Sequence, residues 1–128
     1  MSRSLKEIAK TVRENLKKEF PNCKFSVRTE YYSMGQSLHV ALMAAPFEAY
    51  ADAHRGNQLN HYAFDARDEY INNGVHLTKE AWDVLKRANE IANKENWDES
   101  DRMSDYVSVN YFFHLYVGKW DKPFQVTA

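Results

Sequence analysis

From Leu5 the chain sets apolar side chains at Leu5, Ile8, Val12 and Leu16, with Ala9 beside them and lysines and arginines on the other side. That spacing is one face of an amphipathic helix. Ser4 followed by Glu7 forms a capping box at its start, in which hydroxyl and carboxylate satisfy orphan backbone N–H groups. Phe20-Pro21-Asn22 ends it, because Pro21 disfavours helical geometry in the residue before it. The period then becomes two. Phe25, Val27, Thr29 and Tyr31 alternate with Lys24, Ser26, Arg28, Glu30 and Tyr32. After a turn at Ser33-Met34-Gly35-Gln36, Leu38, Val40 and Leu42 alternate with Ser37, His39, Ala41 and Met43. This predicts a β-hairpin. Pairing Tyr32 with Ser37 sets Tyr31 by Leu38, Thr29 by Val40 and Val27 by Leu42, so the apolar sets share a face.

Ala45-Pro46 breaks the second strand, and residues 47–55 are expected to form a short helix ending near Gly56. Gln58 to Ile71 has no clear period, and Asn72-Asn73-Gly74 reads as a turn. Thr78 is a good N-cap with Glu80 in the favourable first turn, and Ala81, Val84, Leu85, Ala88, Ile91 and Ala92 follow at helical spacing. That predicts a helix over 79–94, followed by an acidic loop from Asn96 to Asp105. In the last strand Val107, Val109, Tyr111, Phe113, Leu115 and Val117 form one face and Ser108, Asn110, Phe112, His114 and Tyr116 the other. The expected fold is α+β, in the order α-β-β-α-α-β. An antiparallel sheet of at least three strands carries helices on the face of Val27, Val40 and Tyr111. With no internal repeat or linker, residues 1–128 read as a single domain.

Composition narrows the class. Of 128 residues 44% are hydrophobic and 14% aromatic, enough to build a core and too much for a disordered chain. Cys23 is the only cysteine, which excludes an intrachain disulfide and suits a reducing compartment. No apolar run approaches the roughly 20 residues of a membrane span, and the charged, amphipathic N-terminus lacks an apolar signal core. The expectation is a cytoplasmic protein with no membrane partner. The net charge of −1 is uneven: residues 1–30 hold eight Lys/Arg against four Asp/Glu, and residues 48–105 hold seven against thirteen. Internal complementarity, a surface with two signs for two partners and a solvated mixed surface all fit this.

If the hairpin parity holds, the sheet face away from the helices collects Lys24, Arg28, Tyr32, His39, Asn110, Phe112, His114 and Tyr116. Aromatic rings beside Arg and His on a flat sheet suit a base or nucleotide, since rings stack on bases and Arg pairs with phosphate. The same surface could receive a protein segment, and strands also favour aromatics for packing alone. The segment Gly118-Lys119-Trp120-Asp121-Lys122-Pro123-Phe124 has two readings. Trp120 and Phe124 close the core edge with Pro123 ending the pairing, or Lys119, Trp120 and Lys122 are presented to a partner.

Other chemistry is weak. Four scattered glycines form no phosphate loop. One cysteine and dispersed His39, His54, His61, His76 and His114 give no zinc spacing. The acidic loop lacks the central glycine of a calcium site, and Cys23 reads as a packed or half-exposed thiol. No catalytic residue, metal or cofactor is assigned.

Ile8-Ala9-Lys10 with Arg13 and Leu16-Lys17, then Phe20-Pro21 and Lys24-Phe25-Ser26-Val27-Arg28, carry a resemblance to a known family. So do Asn96-Trp97-Asp98 with Ser100-Asp101, Asp105-Tyr106, Tyr111-Phe112 and Gly118 to Phe124. The chain resembles the large polyvalent protein associated domains, number twenty-nine of that series. The resemblance covers both ends of the chain and leaves about 44 to 76 unmatched. It implies a protein carried by phages or conjugative elements that helps incoming DNA establish itself and resist host defences. It brings no catalytic residues. The resulting expectation is a non-enzymatic binding protein of a mobile element, interfering with a host defence system by occupying a host protein or nucleic acid. The alternative is a small nucleotide- or nucleic-acid-modifying enzyme using His39 or His114 as acid/base near Arg28. The oligomeric state is left open.

Overall fold

A computed structural model describes residues 4–33, 35–51, 58–59, 70–72, 75–94, 111–119 and 121–127. The first helix, α1 (Leu5–Glu19), forms where the period and cap predict it. Ser4 Oγ accepts from the Glu7 backbone N–H at 3.2 Å and donates to the Glu7 carboxylate at 3.2 Å. Its apolar stripe of Leu5, Ile8, Ala9, Val12 and Leu16 is buried. Strands β1 (Lys24–Tyr32) and β2 (Gly35–Ala45) follow as an antiparallel hairpin. Tyr32 pairs with Gly35, Thr29 with Leu38 and Val27 with Val40, a shift of two residues from the expected register. A shift of two preserves side-chain parity, so the predicted faces survive it. The ladder slips between Lys24 and Phe25.

Next come β3 (Gln58–Leu59), β4 (Ile71–Asn72), β5 (Val75–His76), α2 (Lys79–Ala92), β6 (Phe112–Val117) and β7 (Gln125–Val126). The α+β class holds, but the sheet is mixed rather than antiparallel throughout. Its order is β1-β2-β6-β3, with β6 parallel to β2. The physical reason is the crossover. The chain between β2 and β6 includes α2, and a helix returned across one face delivers the next strand in the original direction. β3 pairs antiparallel with β6. β4 and β5 form a separate hairpin across residues 73–74, which lie outside the described residues.

The short helix expected over 47–55 is not formed at 47–51, and 52–57 lie outside the described residues. The Glu48 carboxylate instead accepts from the backbone N–H groups of Ala49 and Tyr50. Ala51 donates to the His76 carbonyl and Thr78 to the Ala49 carbonyl, while Tyr50 bridges Leu77. These contacts across β5 take up backbone groups that a helix would have satisfied internally. Of the last expected strand, 107–110 lie outside the described residues.

The chain does not stop pairing at Pro123 either. It leaves the sheet at Gly118, whose N–H still donates to the Leu42 carbonyl at 2.8 Å. It makes a tight turn in which Lys119 and Lys122 are bridge partners, then returns as β7, parallel to Ala44 and Ala45 of β2. Proline lacks an N–H but leaves the following residues free to pair. Phe124 is buried on the way back, edge-on to Tyr50 with ring centroids 6.4 Å apart.

The core lies between the helices and one sheet face. Val27, Leu38, Val40, Leu42, Tyr111, Phe113, Leu115 and Val117 meet the stripe of α1 and Ala81, Leu85, Ala88 and Ala92 of α2. The Tyr111 hydroxyl donates to the Ala92 carbonyl, satisfying an orphan acceptor at the end of α2. Outside the core, Arg87 joins the helices by pairing with Glu19 at 2.9 Å.

Candidate functional site

Strand parity fixes what the outer face holds. With Val27, Val40 and Leu115 turned to the core, their neighbours point away from it. Register then aligns Arg28 with His39 and His39 with His114 in one row across β1, β2 and β6. Ala41 pairs with Tyr116 and Ser37 with Phe112 in the flanking rows. Arg28, Tyr32, His39, Phe112, His114 and Tyr116 are therefore brought to one surface. Asn110 and Trp120 lie outside the described residues.

The middle of this surface is a stack of rings. His39 and His114 lie 4.7 Å apart at 14°, and His39 and Tyr116 6.0 Å apart at 13°. His39 Nδ1 is 3.2 Å from the Tyr116 hydroxyl. His39 Nε2 is 3.8 Å from the Glu30 carboxylate, beyond hydrogen-bond reach, and is buried without a hydrogen-bond partner among the described residues. Burial holds the His39 imidazole below its usual range, helped by the charge of Arg28 and by His114 and opposed by Glu30. Burial pushes the Tyr116 phenol up, with Arg28 pulling it down and Glu30 pushing it up.

One end of the face is aromatic. Tyr32 and Phe112 are 43% and 40% exposed. A Cβ on Gly35 would meet a ring atom of each at 3.3 Å, so both rings flank that glycine. The Tyr32 hydroxyl is fixed against Ser37 Oγ at 2.8 Å.

The other end is cationic and grooved. A groove of about 360 Å³ is lined by Ser26, Arg28, His39, Tyr116, Lys119 and Asp121, among others. It adjoins a trough of about 390 Å³ lined by Lys24, Ser26, Met43, Lys119, Lys122 and Pro123, among others. Ser26 and Lys119 line both. Of the turn that the sequence left with two readings, Phe124 is buried in the core, and Lys119 and Lys122 edge the trough.

Sequence reasoning left Ser26, Glu30 and Asp121 out of the site. Alternation already placed Ser26 and Glu30 beside Arg28, and their polarity was the missed signal. For Asp121 no sequence signal exists, because its position depends on the turn after Gly118. Cys23 is half-buried, and burial raises its thiol pKa, which suits a packed thiol rather than a nucleophile. The described residues hold no cluster of three or more His, Cys, Asp or Glu fit for a metal. No helix among them is long and apolar enough to cross a membrane.

Fold and face together define an α+β module whose mixed sheet has helices on one side and an aromatic, cationic surface on the other. The chain belongs to the family described as Large polyvalent protein associated domain 29, matched over residues 3–114. That family is associated with polyvalent proteins of phages and mobile elements. The matched range takes in the middle of the chain, where the sequence showed no resemblance, and ends before Gly118 to Phe124. No curated protein and no solved structure matches the chain.

Proposed function

We propose that the chain is a non-enzymatic binding protein of a mobile genetic element that takes single-stranded nucleic acid on the outer face of its sheet. The observation that carries this reading is the sharing of one face by exposed rings and grouped cations. Tyr32 and Phe112 offer surfaces on which bases stack, and Arg28, Lys24, Lys119 and Lys122 offer charge to the backbone. Single strands expose the bases that a duplex hides, and base stacking on aromatics tolerates any sequence. In the family's setting, such binding would act in the host cytoplasm, where occupying a strand interferes with a host defence system. A single domain over 1–128 suffices for this role.

The test is fluorescence polarisation with labelled 12-mers of DNA and RNA across a salt series. With up to four cations engaged, the slope of log K against log salt should be about −2 to −3. Tyr32→Ala with Phe112→Ala should weaken binding at least about tenfold, since each stacked base is worth about 1–3 kcal/mol. Failure of both nucleic acids to bind at low salt would remove the reading and leave a host protein as the partner of the face.

A second reading rests on one observation. His39 is oriented through Nδ1 by Tyr116, and its Nε2 has no hydrogen-bond partner among the described residues and the Glu30 carboxylate 3.8 Å away, an arrangement open to a general base. On that reading the protein modifies a nucleotide, and His39→Ala abolishes turnover without unfolding the chain. Turnover that survives both His39→Ala and His114→Ala would exclude it.

A further inference from the structure

The two adjoining cavities differ in charge. The trough has three lysines among its lining residues and no acid. Two of them, Lys119 and Lys122, are bridge partners in the turn. Like charges directly opposite each other in a β-pair repel, and Lys24 adds a third from β1 across the same cavity. The groove beside it is mixed, with Arg28 and Lys119 against Asp121, and it holds His39 and Tyr116. His39 Nε2 has no hydrogen-bond partner among the described residues, and the Glu30 carboxylate lies 3.8 Å from it. Together the cavities fall within the size range of small-ligand sites.

We infer that the pair is a bipartite site for a phosphorylated nucleoside. The phosphate monoester lies among Lys24, Lys119 and Lys122, and the sugar and base lie in the groove of Arg28, His39, Tyr116 and Asp121. Asp121 accepts from a sugar hydroxyl or a base amino group. The inference rests on the nucleic-acid reading of the face and deepens it. A strand lying along the sheet, its bases on Phe112 and Tyr32, ends in the lysine trough, so a terminal phosphate is recognised. A free nucleoside monophosphate has the same chemistry.

The experiment uses the full chain. Polarisation compares labelled 12-mers carrying a 5′-phosphate, a 3′-phosphate or hydroxyls at both ends, and calorimetry compares adenosine 5′-monophosphate with adenosine. A phosphorylated end should tighten binding at least about tenfold, and the monophosphate should bind where adenosine does not. Lys119→Gln with Lys122→Gln should weaken all three 12-mers through the loss of two cations and, beyond that, bring the phosphorylated ones down to the affinity of the hydroxyl 12-mer. Lys24→Gln, on a different strand, repeats the test should the turn variant misfold. If all three 12-mers bind equally and adenosine matches its monophosphate, the site is overturned while the face reading stands. If the monophosphate binds and no 12-mer does, the site stands for a free nucleotide and the face reading falls. If nothing binds, both fall.

Discussion

Gly118 is the position where one methyl group should do most damage. Its φ of +68° lies in the left-handed region, and a Cβ there would sit 2.5 Å from the Phe124 nitrogen and 3.1 Å from the Pro123 carbonyl carbon. Both neighbours are backbone, so no rotamer change relieves the clash. The left-handed conformation costs a non-glycine residue roughly 1–2 kcal/mol, and overpacking adds roughly 1–3 kcal/mol. Gly118→Ala should therefore destabilise by about 3 kcal/mol, lowering Tm by about 10 °C for a chain of this length. The displaced segment is the one that seats Phe124 against Tyr50 and sets β7 on β2. Gly35→Ala is the control. Its Cβ would meet only the ring atoms of Tyr32 and Phe112 at 3.3 Å, and these side chains can give way. That change should cost about 1 kcal/mol or less. Thermal and urea melts of both variants decide the matter. A Gly118→Ala protein melting within about 2 °C of the parent would refute the reasoning.

Two further outcomes follow from single side chains. Burial keeps the folded His39 below its ordinary value of about 6.5, so the unfolded chain binds more protons below that pH. Its contribution to stability is complete above about pH 6.5 and is lost as pH falls through the folded value. Urea midpoints measured from pH 7 to 5 should decline, and more shallowly in His39→Gln; an unchanged slope would implicate other groups. Thr78 caps α2 by accepting from the Ala81 N–H at 3.3 Å while donating to the Glu48 carbonyl. Thr78→Ala should cost about 1–2 kcal/mol in urea unfolding and Thr78→Ser much less; equal losses in both would mean the hydroxyl is not the cause.

What the sequence revealed follows from what periodicity can encode. Both helices were legible because a cap and a spacing agree at each, Ser4 with Leu5 to Leu16 and Thr78 with Ala81 to Ala92, and at α1 Pro21 adds a stop. The faces of the hairpin were legible because parity is written in the alternation. Its register was not, because moving Tyr32 from Ser37 to Gly35 leaves every side chain on the same face. Strand direction was hidden for a related reason. Parallel strands announce themselves by continuous apolar runs when both faces are covered. Here His114 and Tyr116 alternate with Phe113, Leu115 and Val117, so β6 reads as an antiparallel strand. The stretch after Pro46 misled because alanines suit a helix, while the Glu48 carboxylate takes up the local N–H groups instead. The outer face was legible residue by residue. The lysine trough was not legible as a unit, since it joins the start of β1 to a turn some ninety residues later.

The placement of β2 between β1 and β6 also sets a timetable. Helix α1 and the hairpin lie within residues 5–45, while β6 begins at 112. At roughly 5–20 residues per second of synthesis, about 3–13 s separate the arrival of the two sides of β2. Through that interval Leu38, Val40 and Leu42 border an open edge, the kind of edge along which nascent chains stick to one another. Crowding of newly made chains, rather than weakness of the finished fold, is then where this protein is most exposed to loss.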